Sequence, residues 1–456
     1  MPQISIIKES VLSDDKRIDA EYFLPQYIKF DSILNKTKTV ELSDLMHVSD
    51  GNHLTVVEQY VETGIRYLRG KDLSYYFIEN EDPVFITDSF FSTLKRSHMK
   101  QNDVLVSIVG TVGNVGIIKN ESRKITGSCK LAILRSEKIS PDYIYAFLLS
   151  KFGQFQIKRM IRGTIQQGLI LPDLRKIKIT LPNNSLEKSI SLFVNNAYNL
   201  RKNADELYQA AENMLLSKLN IEKISFVDRL SYLVNFDEVR KNTRFDSEYY
   251  QPKFQNMINE LEKNSKRIEP LGAILNLTKG IEVGSDAYTE EGIPFLRVSN
   301  ITKFGIEYNE IRYINNEIYN SLKTKFKPKK EELLLTKDAS IGIAYVVREE
   351  KDQIISGGIL RGRLKTDIDI DYLALILNSK IGKLQIERDS SGSIIDHWRH
   401  EQIVETIIPI LSVKTQQQIG NLVRESHKQR GEAKKMLEKA TSLIEKNIEN
   451  RSYISK

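Results

Sequence analysis

Apolar residues recur every three or four positions through two long stretches of the chain. In the first, Ile190, Phe193, Ala197, Leu200, Ala204, Leu207, Ala211 and Met214 alternate at spacings of 3 and 4. That rhythm predicts an unbroken helix with a heptad stripe. In the second, Ile419, Leu422, Ser426, Gln429, Ala433, Met436, Ala440 and Leu443 repeat it about 229 residues later. Two stripes in the same phase can pack on each other, which favours an antiparallel pair over two helices that each dock only on their own domain. Alanines at 197, 204 and 211 permit close approach, and the polar Ser426 and Gln429 are placed to fix register. Twenty-five helical residues would span about 37 Å.

Elsewhere the period changes. VLVSIV (104–109) and GIAYVV (342–347) read as strands. PDYIYAFLLSKFGQFQIKRMI (141–161) reads as one helix opened by proline, and IDYLALILNSKIGKLQIER (370–388) as its counterpart. These pairs belong to a larger repeat. RIDAEYFLP (17–25) returns as RFDSEYYQP (244–252), and ETGIRYLRGKDL (62–73) as EEGIPFLRVSNI (290–301). ITGSCKLAILR (125–135) faces IISGGILRGRL (354–364) at nearly the same offset. A repeat of half the chain length is a tandem duplication, not a solenoid. The predicted fold is α+β: a globular domain over 1–185, a spacer helix over 186–225, a second globular domain over 226–412 and a second helix over 413–456.

Composition narrows the picture a little. The 456 residues are 40% hydrophobic and 28% charged, with a net charge of +7, a slight bias toward an anionic partner. No run of 18 apolar residues and no basic-then-apolar leader is seen. The single cysteine, Cys129, can form neither an internal disulfide nor a zinc site alone. The expectation is a cytoplasmic protein without a membrane span.

Catalytic signatures are missing. There is no GK[ST] P-loop, HExxH, Cys/His cluster, (D/N)PP(Y/F) or complete PD…(D/E)xK pattern. GTVGNVG (110–116) lacks GxGxxG spacing and predicts a tight turn after a strand. His397 and His400 flank Trp398, but a metal reading lacks a third ligand. Basic residues are plentiful instead. TLKRSHMKQND (93–103) and SLKTKFKPKKEE (321–332) occupy equivalent places, and residues 151–178 carry seven Lys/Arg against Asp173. Lys and Arg neutralise phosphates, while Arg, Asn and Gln read base edges. Arg162, Gln166 and Gln167 in RGTIQQG are candidate readers. The alternatives are a self-contained nuclease or methyltransferase with an unfamiliar site, and a coiled-coil dimeriser without a DNA role.

The duplication, the two helices, GTIQQGLILPDLRKIKITLP (163–182) and GIPFLRVSNI (292–301) together resemble the specificity (S) subunits of type I restriction–modification systems. The second copy departs from the pattern at SGSIIDHWRHEQIVETIIPIL (391–411). The resemblance implies two target-recognition domains separated by two helices in an antiparallel coiled coil, and no catalysis in this chain. Each domain would read half of a bipartite site in double-stranded DNA from the major groove. Implied partners are two adenine-N6 methyltransferase (M) subunits, which bind S-adenosylmethionine, and motor–nuclease (R) subunits. Candidate DNA contacts in the first copy are Arg69, Lys71, Thr111, Asn114, Arg159, Arg162, Thr164, Gln166 and Gln167. In the second they are Arg297, Asn300, Lys337, Ser340, Arg361, Arg388, Ser393, His397 and Arg399.

Overall fold

A computed structural model of the chain describes residues 4–7, 17–74, 76–79, 82–119, 124–136, 138–163, 167–224, 227–242, 244–308, 310–390 and 397–454. The candidates Thr164, Gln166 and Ser393 lie outside these. The chain divides into two compact units, Met1–Arg201 with Gly431–Lys456, and Lys202–Arg430. Both are mixed helix and strand.

In the first unit, β1 (Met46–Asp50), β3 (Val104–Ser107), β4 (Val115–Ile117) and β6 (Leu131–Ser136) form an antiparallel sheet of order β1-β6-β3-β4. β2 (Ile65–Leu68) and β5 (Ile125–Gly127) pair in parallel in a second sheet. Its longer helices include α1 (Pro25–Leu34), α2 (Pro141–Leu149), α3 (Lys151–Met160) and part of α4 (Asn184–Lys218). In the second unit, β7 (Leu275–Lys279), β9 (Leu333–Thr336), β10 (Ala344–Val346) and β12 (Ile359–Leu364) take the order β7-β12-β9-β10. β8 (Ile293–Leu296) and β11 (Ile354–Ile355) are the parallel pair. Its helices include α5 (Pro252–Asn264), α6 (Ile370–Asn378), α7 (Lys380–Asp389) and parts of α4 and α8 (Val413–Ile454). Registers repeat as well: Val48 faces Leu134 in one unit, and Leu277 faces Gly362 in the other.

The helix predicted over 141–161 is broken. α2 ends at Leu149 and α3 starts at Lys151, because Ser150 is extended (φ −66°, ψ 161°) and its hydroxyl caps the Gly153 amide. Ser379, also extended, breaks α6 from α7, its hydroxyl accepting from the Ile381 amide. A Cβ on Gly153 would sit 2.3 Å from the Phe147 carbonyl oxygen, and one on Gly382 2.1 Å from that of Leu377. Each glycine thus lets the second helix fold back onto the first.

The heptad stripes also shift by one residue. Ile190, Ala197, Ala204 and Ala211 are buried as expected, but the other buried row is Val194, Tyr208 and Leu215. Phe193, Leu200, Leu207 and Met214 are only partly buried. The same slip occurs in α8: the buried row is Ile419, Val423, Ser426, Arg430, Ala433, Leu437, Ala440 and Ile444. Leu422 and Met436 flank the cores, and Leu443 is exposed. The small alanines sit at the centre of each face, so both apolar neighbours of an alanine are candidates for the second row. The structure selects the one four residues on.

Within the first unit, Ile190, Val194 and Ala197 share a core with Ala433, Leu437, Ala440 and Ile444. Within the second, Tyr208, Ala211, Leu215 and Leu219 share one with Ile419 and Val423. There Ser426 Oγ donates to the Ala204 carbonyl (2.6 Å), and Arg430 pairs with Asp205. The buried polar side chains by which α8 reaches α4 there are therefore Ser426 and Arg430. Gln429 instead donates to Glu425 of its own helix.

The duplicated RIDAEYFLP stretch is a clasp. Arg17 holds Asp19 by two hydrogen bonds (2.8 and 2.5 Å) and lies over the Tyr22 ring at 4.5 Å. Those bonds, foremost among the causes, lower the Asp19 pKa. From α3, Arg159 covers Tyr22 at 4.0 Å and donates to its carbonyl (2.8 Å). Arg244, Asp246, Tyr249 and Arg388 repeat the ion pair and the ring contacts in the second unit, with Arg388 donating to Asp389 instead of a carbonyl. Phe23 is buried, and Pro25 starts α1.

Candidate nucleic-acid interface

In each antiparallel sheet, one end gathers the loops that carry most of the polar candidates. In the first unit, Asp50 ends β1, Ser107 ends β3, and β4 and β6 begin beside them. The GTVGNVG turn closes β3 onto β4: the Gly113 amide donates to the Ser107 carbonyl (2.9 Å) with Gly113 at φ +95°. Gly342 at φ +81° repeats this with Thr336 (2.8 Å). Positive φ explains a glycine at both points.

Segments distant in sequence then meet this turn. Val109 forms a β-bridge with Gly168, and the Leu169 amide donates to Ile108 (2.8 Å). Thr111 donates to the Gly70 carbonyl (3.2 Å), and Asn114 to that of Leu73 (2.8 Å). In the second unit the equivalent bridge joins Asp338 to His397, and the Trp398 amide donates to Lys337 (3.0 Å). The backbone frame is thus the same in both units. Its side chains differ: Val and Gly stand at the bridge in one, Asp and His in the other.

The candidates sort into two groups. Lys71, Thr111 and Gln167 are exposed at the first sheet end, as are Ser340, His397 and Arg399 at the second. Arg162 is partly exposed and holds Asp173 (2.7 Å). The others are engaged inside the fold. Arg69 grips Asp72 (2.8 Å) and Asp82 (3.3 Å), and Asp72 caps the turn that follows. Arg297 and the buried Asn300 build the equivalent turn. Asn114 braces a loop. Lys337 is half-buried against Asp338 (2.8 Å). Arg159 and Arg388 belong to the clasps. Arg361 is buried beside Glu332 (3.4 Å), and burial lowers its pKa. A basic residue before a strand looks the same in sequence whether its charge faces solvent or a neighbouring carboxylate, so sequence could not separate the groups.

One exposed residue escaped the candidate set. His53 follows Asn52, which bridges Ser128 at this same sheet end. Its ring meets Asp50 at 2.8 Å, and Arg96 meets the other Asp50 oxygen at 2.5 Å. Among the described residues, no group of three His, Cys, Asp or Glu is placed to hold a metal ion. Nor is any helix there long and apolar enough to cross a membrane.

Comparison with known proteins agrees with the sequence resemblance. Residues 35–209, which contain this first sheet end, match the type I restriction modification DNA specificity domain. The chain is 23% identical over 203 residues to the specificity subunit of the type I restriction enzyme MjaVIII of Methanocaldococcus jannaschii, covering 41% of this chain and 48% of that protein. It is 26% identical over 168 residues to the EcoBI specificity subunit of Escherichia coli, covering 35% and 34%. The chain thus spans about half the length of the first relative and a third of the second. The S subunit structure from M. genitalium aligns over 91% of this chain and 95% of that chain, with 14% identity and a TM-score of 0.42. The first copy is therefore similar to the type I DNA specificity domain over residues 35–209. The chain that carries it is a relative of the type I specificity subunits.

Proposed function

We propose that the chain is the DNA-reading subunit of a type I restriction–modification complex and performs no catalysis itself. Each unit reads one half of a bipartite duplex target with the loops at its sheet end. α4 and α8, paired antiparallel as a coiled coil, set the gap between the halves. Two adenine-N6 methyltransferase subunits, supplying S-adenosylmethionine, and motor–nuclease subunits assemble on it in the cytoplasm. The observation that carries this reading is the loop frame itself. It occurs twice with the same backbone bridges and with different side chains, as two readers of different half-sites require.

Binding of duplex DNA by the full chain over a salt series tests it. If six phosphates are contacted, log K should fall with log salt at a slope of about −5. A flat dependence would sink the reading. The purified chain alone should neither cleave DNA nor transfer methyl groups; either activity would favour a self-contained enzyme.

A further inference from the structure

Two of the six histidines, one in each unit, are held by carboxylates while remaining mostly exposed: His53 at 60% and His397 at 59%. In both, the carboxylate also binds a neighbouring cation. Asp50 takes His53 Nε2 (2.8 Å) and Arg96 (2.5 Å). Asp338 takes His397 Nδ1 (2.9 Å) and Lys337 (2.8 Å). Burial raises the Asp338 pKa, but hydrogen bonds from Lys337 and His397 outweigh it and leave the group below its ordinary value. The remaining four histidines have no such partner in the described structure. His98, for one, stacks on Phe91 at 3.8 Å.

The two pairs stand at non-equivalent points of the duplicated frame. The position matching His53 is Glu282, and the position matching His397 is Gly168. Neither pair is therefore a leftover of the duplication that both copies had to keep. Each lies at the sheet end that bears the exposed loop residues. Each is a carboxylate, a cation and an imidazole whose charges nearly cancel, so it offers direction more than net charge. A carboxylate accepts from the ring nitrogen it faces, which fixes the ring and leaves the other nitrogen outward. A fixed, near-neutral polar group suits a base edge in the major groove better than a phosphate.

We propose that His53 and His397 are base-reading residues, one for each half-site, with Asp50 and Asp338 as their positioning residues. The proposal rests on the DNA-reading function above and adds its specificity-determining side chains. The experiment selects sequences from a randomised duplex library with the full chain and its variants. His53→Ala should lower the preference for one base, on the order of tenfold, within one half-site. His397→Ala should do so within the other half only. Asp50→Ala and Asp338→Ala should copy their respective histidine variants, whereas Asp50→Asn and Asp338→Asn, which keep an acceptor for the ring, should restore the preference. Unchanged profiles in both histidine variants would overturn the proposal, as would an equal loss of affinity for all sequences. If the unaltered chain selects no sequence at all, the DNA-reading function itself fails. Unfolding curves of the alanine variants matching the parent exclude a folding defect.

Discussion

The clasp that opens each unit and the sheet end that bears its loops differ in opposite ways between the two copies. At the clasp, chemistry is kept: Arg17, Asp19, Tyr22 and Arg159 are matched by Arg244, Asp246, Tyr249 and Arg388. At the sheet end the backbone is kept and the side chains change, with Val109 and Gly168 replaced by Asp338 and His397. Repeated chemistry marks what the fold needs. A repeated frame with altered side chains is what the proposed reading of two different half-sites requires.

The first break should be the largest. Gly153→Ala and Gly382→Ala each drive a methyl into a backbone carbonyl and should cost about 3 kcal/mol. Denaturant unfolding followed by hydrogen exchange would show the loss confined to the altered unit. A cost under about 1 kcal/mol would mean that the α2–α3 or α6–α7 contact relaxes easily. Next come the clasps. Arg159→Ala and Arg388→Ala should each cost about 2 kcal/mol through lost charged hydrogen bonds. Equal losses would confirm that the two clasps are energetically one device; a gap would trace to their different carboxylate partners, Asp31 for Arg159 and the buried Asp389 for Arg388.

Acid should separate the units. His427, set against Phe304 and Tyr345, has its pKa pushed down to about 3, by burial first and then by Arg348 and Arg430. Its counterpart in the first unit is Tyr198. The unfolded chain takes up the histidine proton near pH 6.5, while the folded second unit refuses it down to about 3. The stability contributed by this group is therefore present above pH 6.5 and is lost as pH falls from there. The loss is at most about 1.4 kcal/mol per pH unit and is reduced by the residue's partial exposure. Hydrogen exchange in β9 should accelerate with acid before that in β3. His427→Leu should flatten the difference. The smallest effect is Ser426→Ala, about 1 kcal/mol or less, because the Ala204 carbonyl it reaches lies within α4.

Much of this was legible from residues alone. Matches such as DYIYAFLLSKFGQFQIKR with DYLALILNSKIGKLQIER expose the duplication, since buried helices keep their apolar positions. The long helices were equally plain. Their facing rows were not, because an alanine-centred stripe has apolar neighbours on both sides, and only the opposing core decides which row is covered. The break at Ser150 was hidden because serine and glycine both occur within helices; its meaning lies in the closeness of the Phe147 backbone. The candidate contacts suffered most. Arg361 and Lys71 read alike in sequence, yet Glu332 draws one inward while the other stays in solvent beside Asp82. His53 was passed over because its partner Asp50 is only three residues away, a spacing common in any loop.

The division of the chain within its long helices also sets an order of events during synthesis. Residues 202–430 are contiguous, so the second unit can close as soon as they have emerged. The first unit cannot. Ile190, Val194 and Ala197 wait for Ala433, Leu437, Ala440 and Ile444, which a ribosome adding roughly 5–20 residues per second delivers only after all of residues 202–430. The first unit thus closes after the second, and through that interval its share of α4 carries an apolar strip that a chaperone or a nascent neighbour can reach.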